Sequence, residues 1–448
     1  MMSPRGFRSP LLGGILGVFV TSSFFPAAMA SPPAELEETL CTSLRTSLPA
    51  GPDPGFLTSW PEQPDRGAGV SQPDPALRDA GFVYDNALAV IALLGCGDLP
   101  SAQRIGAAFL QAQEADRSYR DGRLRNAYRA GLSARPALPP GYWSDKEGRW
   151  IEDAYQVGTT SGNMAWVGLA YLHLSAASHD PKWRAAALGL AYWIDDHMRP
   201  DNGTKRGYLG GYFGFEPDPA RAPWSSTEHN LDIVALSRAL MASTPPLPPD
   251  DGARLEQIEA TAREMVLKMW RPARGAFLTG TTPEGQPSEN GGTMLDVQVW
   301  PYLALPELGR ISGRPATVAD ILKGLTVTRN GRNGLDFNDD RDGIWAEGTA
   351  QAALTLNRLG LTAQATEFMI TLSTLVDPAT GYLLATDGTT LSTGLSIGIG
   401  SSGEIAFTYP PRPHLGATAW ALLALQDRNP FIPAPSPLSQ DPSPEPLQ

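Results

Sequence analysis

The chain has 448 residues, 42% of them hydrophobic and 11 of them Trp, enough for a sizeable core in one large domain or two ordinary ones. Its 47 Asp and Glu against 35 Lys and Arg leave a net charge of −12, an acidic balance that repels phosphate backbones and anionic lipid and so excludes nucleic acid and membrane surfaces as natural partners. Five His without paired spacing argue against a zinc site.

Residues 1–30 have the pattern of a secretory signal peptide. Arg5 and Arg8 precede an uncharged run from Leu11 to Phe25, and Ala28-Met29-Ala30 stands before Ser31 as a small-residue cleavage site. The run is short for a membrane span and is interrupted by Gly13, Gly14, Gly17 and Pro26. Cleavage after Ala30 predicts a secreted or periplasmic protein with no stable membrane insertion, and losing Arg5 and Arg8 takes the charge from −12 to −14. Cys41 and Cys96 are the only cysteines. An even count in an oxidising compartment predicts one disulfide, joining an N-terminal helix to the first repeat.

From there the chain reads as repeated pairs of helices. One helix is expected from Pro33 to about Leu44, and eleven more beginning near Asp85, Pro100, Ser161, Pro181, Thr227, Asp250, Asp296, Ala316, Trp345, Ala363 and Leu415. They alternate in character. Gly162 to Ala170 is apolar nearly all round, the mark of a buried helix, whereas Glu256 to Lys268 carries charge and covers such a helix from outside. Inner helices begin near residues 85, 163, 229, 296, 347 and 417, a loose period separated by Gly-aromatic turns such as Gly141-Tyr142-Trp143, Gly207-Tyr208, Gly211-Tyr212-Phe213, Gly275-Ala276-Phe277 and Gly381-Tyr382. Six inner and six outer helices predict an all-α toroid with short β-segments in its loops, spanning 31–429 without an internal boundary. A Pro-rich tail, 430–448, is expected to be disordered.

Six helical hairpins, Gly-aromatic turns and acidic residues at the inner-helix starts together resemble the (α/α)6 toroid of the six-hairpin glycosidases. The resemblance covers most of the chain and implies a cleft where the inner helices begin. It also leaves the reaction open, because polysaccharide lyases and, more distantly, terpene cyclases share the toroid. No DDxxD or DxDD motif occurs.

Polar residues at that end are Asp85 and Asn86; Asn163; Glu228, His229, Asn230 and Asp232; Asp296 and Gln298; Glu347; His414 and Thr418. Helix capping accounts for some of them. Asp85 reads as an N-cap, and Ser225 with Glu228 and Thr293 with Asp296 have capping-box spacing. Capping does not account for Glu347, one turn into an inner helix between Trp345-Ala346 and Gly348, nor for Asp232, set within an apolar run four residues after Glu228. Glycoside hydrolysis needs one protonated and one ionised carboxyl flanking the scissile bond. The expected catalytic residues are therefore Glu347 as acid, with Asp232 or Glu228 as the other member. Asp85, Asn163, His229, Asp296, Trp300, Trp345, Tyr409 and His414 are expected to bind substrate. Trp143, Trp150, Tyr208, Tyr212 and Trp224 offer further aromatic faces near the same helix ends.

One segment, Asp336 to Gly343, is similar to a calcium loop, but it starts that register with Asn338 and lacks Glu at the final ligand position. It reads as a solvated acidic turn, and neither metal nor cofactor is expected. The sequence thus points to an exported glycoside hydrolase acting on a poly- or oligosaccharide. Two alternatives stay open: a polysaccharide lyase, which would use a Tyr or His base, and a noncatalytic carbohydrate-binding or exopolysaccharide-assembly protein.

Overall fold

The computed structural model describes residues 32–62, 75–200, 207–289, 292–310, 314–400 and 403–433; the leader at 1–30 and the chain from 434 onward lie outside the described residues. Among the described residues there are thirteen α-helices: α1 (Pro32–Ser47), α2 (Val83–Gly95), α3 (Leu99–Glu114), α4 (Ala154–Val157), α5 (Ser161–Ser178), α6 (Pro181–Met198), α7 (Thr227–Ala242), α8 (Pro249–Lys268), α9 (Asp296–Ala304), α10 (Arg314–Leu325), α11 (Ala346–Arg358), α12 (Thr362–Ser373) and α13 (Leu415–Leu425). All twelve expected helices are present. The single turn α4 was not foreseen; it exists because Asp153 accepts the Tyr155 and Gln156 amides.

Helices α2, α5, α7, α9, α11 and α13 pack in that order into a closed ring, α13 returning to α2. Composition explains the placement. In α2 every residue from Asp85 to Leu94 is buried, whereas α8 buries only the stripe Leu255, Ile258, Ala262, Met265 and Val266 and turns its charges outward. Helices α3, α6, α8, α10 and α12 each pack on the inner helix before them, and α1 packs on α13, so the two ends of the chain form the sixth hairpin. The Cys41–Cys96 disulfide, with Cα atoms 5.9 Å apart, ties α1 to the C-cap of α2.

The axis of the ring is filled by aromatic side chains. Trp166, Trp300 and Trp420 lie with ring centroids 5.5 to 5.9 Å apart. Beyond them, at the C-terminal ends of the inner helices, Phe431 packs 5.0 Å from Trp166 and 5.6 Å from Trp300. The disorder expected from Pro430 therefore does not begin there. The Pro430 carbonyl meets His173 Nε2 at 3.0 Å, and Phe431 is 2% exposed, because the apolar floor of the ring needs a cover.

Loops at the opposite end carry the strands, as antiparallel pairs and one three-stranded sheet. The longest pair, Leu391–Gly400 with Gly403–Tyr409, is a hairpin that reaches α4 and places Leu395, Ser396, Phe407 and Tyr409 over the mouth of the ring. A partly buried ion network ties the loop after α3 to those before α4 and after Phe213: Arg125 binds Asp116 and Glu216 at 2.6 Å each, and Arg117 joins Glu216 (2.8 Å) to Glu152 (2.5 Å).

Candidate active site

The inner-helix N-termini open on one cavity of about 830 Å³. Glu228, Asp232, Asp296 and Glu347 line it, together with His229, Asn163, Tyr84 and two aromatic walls. One wall runs Tyr155, Phe213, Trp224, with centroids 6.2 and 6.0 Å apart. The other runs Phe337, Trp345, Tyr409, at 4.8 and 5.5 Å. Among its described lining residues there is no Lys or Arg.

Glu347 stands in the first turn of α11 and is 2% exposed. Its Oε1 accepts from the Tyr84 hydroxyl (2.8 Å) and from Gln351 Nε2 (3.4 Å), while Oε2 has no hydrogen-bond partner. Burial pushes its pKa up to about 7, and the Asp85 and Asp296 carboxylates add to that against the opposing influence of His414 and Tyr84. Below about pH 7 this carboxyl therefore keeps its proton. Tyr84 in turn accepts from Trp420 Nε1 at 2.7 Å, and burial raises the phenol far above its ordinary range, so it stays a neutral donor.

Behind Glu347 lies a second layer. His414 caps α13, its Nδ1 accepting the Ala417 amide at 3.2 Å, which leaves the proton on Nε2, 3.5 Å from Asp85 Oδ2. Glu347 Oε2 is 3.7 Å from Nδ1. These three groups converge because residue 416 is Gly. A Cβ there would sit 2.7 Å from Glu347 Oε2 and 2.9 Å from Asp85 Oδ1.

Across the cavity, Glu228 in the first turn of α7 faces Asp296 at the start of α9, close enough for the two carboxyls to hydrogen-bond and to shift each other's pKa. Burial, then Asp296 and Glu347, raise Glu228 well above the usual carboxylate range; Asp296, also raised by burial, is held to about 6 by the Val297 amide (2.7 Å) and by Glu228. Asp232, one turn further along α7, is fully buried, and neither oxygen has a hydrogen-bond partner. Burial, then the neighbouring Glu228 and Asp296, push its pKa well above the usual carboxylate range. His229 is neutral, its pKa pushed down by burial to about 4. Ser161 Oγ donates to the Leu209 carbonyl (2.8 Å) and thus accepts from His229 Nδ1 (3.2 Å), leaving Nε2 as an acceptor. Gly162 permits this approach, since a Cβ would meet His229 at 2.6 Å.

Of the residues singled out in the sequence, Glu347, Asp232, Glu228, Asn163, His229, Asp296, Trp300, Trp345, Tyr409 and Trp224 line the cavity. Asp85 and His414 do not reach it; both are 4% exposed and back Glu347. Trp143 and Trp150 pair across an exposed hairpin away from the cavity, and Tyr208 is buried with its hydroxyl on Asp195 (2.7 Å). The capping assignments also need correction. Ser226, not Ser225, caps α7; α9 has no side-chain cap; and α2 begins at Val83 without using Asp85. None of the three carboxylates is absorbed by a cap, which adds Asp296 to the acidic set. Sequence reasoning passed over Tyr84, Tyr155, Phe213 and Phe337. Tyr84 adjoins Asp85 in an inner-helix first turn, and that position was its signal.

No family model and no curated protein sequence matches the chain. Solved structures do match its fold. A glycosidase variant in complex with glucose superposes with a TM-score of 0.56 at 15% identity, over 90% of this chain and 98% of that one. An alpha-amylase from Clostridium perfringens gives 0.55 at 10% identity over 88% and 98%, and a D-mannose isomerase gives 0.54 at 10% over 90% and 99%. A glycosidase, an amylase and an isomerase on one backbone illustrate that the fold leaves the chemistry to the site. What the chain has in common with them is the fold, an (α/α)6 toroid.

Proposed function

We propose that this protein is an exported glycoside hydrolase acting on an uncharged poly- or oligosaccharide. The observation that carries the reading is a cavity with four carboxyls and two aromatic walls but no Lys or Arg among its described lining residues. Aromatic faces suit pyranose rings, and the carboxyls differ in protonation, as acid–base cleavage requires. Glu347, neutral up to about pH 7, is the proton donor to the leaving oxygen. The Glu228–Asp296 pair supplies the ionised partner. Asp232, pushed up by burial and by the neighbouring Glu228 and Asp296 and without the backbone amide that holds Asp296 down, serves as a hydrogen-bond donor to a sugar hydroxyl. His229 Nε2 accepts from another.

A lyase acting on uronates needs a cation to neutralise the carboxylate beside the abstracted proton, and the acidic cavity favours the opposite charge. Export is supported by the leader at 1–30 and by the Cys41–Cys96 disulfide, which suits an oxidising compartment. The test is a panel of neutral and uronate-containing polysaccharides, read by new reducing ends and by the absorbance of unsaturated products. Reducing ends without unsaturation are expected. Unsaturated products, or sugar binding without cleavage, would overturn the assignment. Asp296→Asn should then abolish turnover, whereas Asp232→Asn, which keeps a hydrogen-bond donor, should retain most of it. The reverse ranking would make Asp232 the base.

A further inference from the structure

The acidic segment after Leu335 is not a solvated turn throughout. Asp339, Asp340 and Arg341 are exposed, but Asp336 is wholly buried, and an oxygen from each of Asp336, Asp340 and Asp342 lies within 4.8 Å of the other two. Asp336 Oδ1 accepts the Phe337 amide (2.7 Å), while Oδ2 is buried without a hydrogen-bond partner; so is Oδ1 of Asp342. The nearby cation does not satisfy them. Arg329 Nη2 donates to the Asp342 carbonyl at 2.8 Å, and its Nε lies 3.6 Å from Asp387. Three converging carboxylates with two orphaned buried oxygens ask for a positive charge that the described side chains do not provide.

We propose that Asp336, Asp340 and Asp342 bind a calcium ion that braces the rim of the cavity. An all-oxygen, carboxylate-rich donor set suits a hard divalent cation, and the irregular spacing of the three ligands suits calcium, which tolerates flexible coordination, better than magnesium, which demands octahedral geometry. The reach of the site follows from its neighbours. Asp342 Oδ2 accepts the Ser392 amide (2.9 Å) and Asn338 Nδ2 donates to the Ser392 carbonyl (3.3 Å), so the ligand loop holds the base of the hairpin that carries Leu395, Phe407 and Tyr409 over the cavity. On its other side, Asp339 accepts the Thr293 amide (3.1 Å), three residues before Asp296. The sequence register missed this set because Asp336 precedes the Asn338 from which a calcium loop would be counted.

The test uses the full protein stripped with EDTA. Calcium titrated in a calorimeter should bind at one site, with a Kd on the order of 10⁻⁴ to 10⁻³ M or tighter, and magnesium should bind more weakly. Calcium should raise the melting temperature and slow hydrogen exchange of the Ser392 amide. Asp336→Asn, which removes a charged ligand, should weaken calcium binding by at least the roughly 10- to 100-fold seen on loss of a mere supporting partner. Should that variant fail to fold, Asp340→Asn at the exposed ligand keeps an acceptor for the Asp342 amide, and the same loss is expected of it. No heat and no melting shift in the stripped wild type would overturn the site; unchanged binding in the variants would place calcium elsewhere. Magnesium binding as tight as calcium would overturn the ion, and unaltered exchange at Ser392 would overturn the bracing role.

Discussion

Replacing Glu347 by Gln is expected to stabilise the protein at alkaline pH while removing its activity. The carboxyl moves from its ordinary 4.5 to about 7 on folding, mainly through burial. Between those values the native state keeps a proton that the unfolded chain has released. Native protein then binds more protons than unfolded, so unfolding free energy falls as pH rises through this window and levels off above about 7. The span corresponds to about 3 kcal/mol. Gln preserves size and still accepts from the Tyr84 hydroxyl, but it has no proton to lose. Urea denaturation of both proteins should therefore give equal stabilities at about pH 4 and a variant more stable by up to about 3 kcal/mol at about pH 8. Turnover on the substrate found by the panel should drop about 10²- to 10⁴-fold with binding largely kept. A variant that is equally or less stable at both pH values would refute the buried-proton argument, and full activity would refute the acid role.

Tyr84→Phe removes a donor that holds Glu347 down and orphans the Trp420 indole N–H. It should move the alkaline limb of the kcat/KM profile to higher pH and cost about 1–3 kcal/mol; an unmoved limb would mean that Tyr84 does not tune the acid. Replacing Cys41 and Cys96 together by Ser opens a loop closed over a sequence separation of 55, an expected loss of about 4 kcal/mol by urea titration, and no change would leave the staple without a role in stability. Phe431→Ala empties a site against Trp166 and Trp300 and should cost about 3–5 kcal/mol; a loss far below that would show the floor of the ring can close without it.

The helices were legible because their signal is local. An inner helix such as α13, Leu-Gly-Ala-Thr-Ala-Trp-Ala-Leu-Leu-Ala-Leu, is apolar on every side and has no other stable place than the middle of a ring, while the charged faces of α8 announce a cover. Glu347 and Asp232 could be picked out for the same reason, as charges where burial is costly. The caps could not, since choosing Ser226 over Ser225 depends on a backbone turn that either serine permits. Nor could the two layers of the site. Asp85 and Asp296 look alike as first-turn acids, yet Asp85 is drawn behind Glu347 by His414, from a helix more than three hundred residues later, while Asp296 faces Glu228 in the open cavity. The buried Asp336 and the inserted Phe431 belong to the same class. Hydrophobic periodicity is a property of neighbours along the chain and determined the toroid; protonation, orphaned oxygens and the choice of which acid reaches substrate depend on groups that only the closing of the ring brings within a few ångströms of one another.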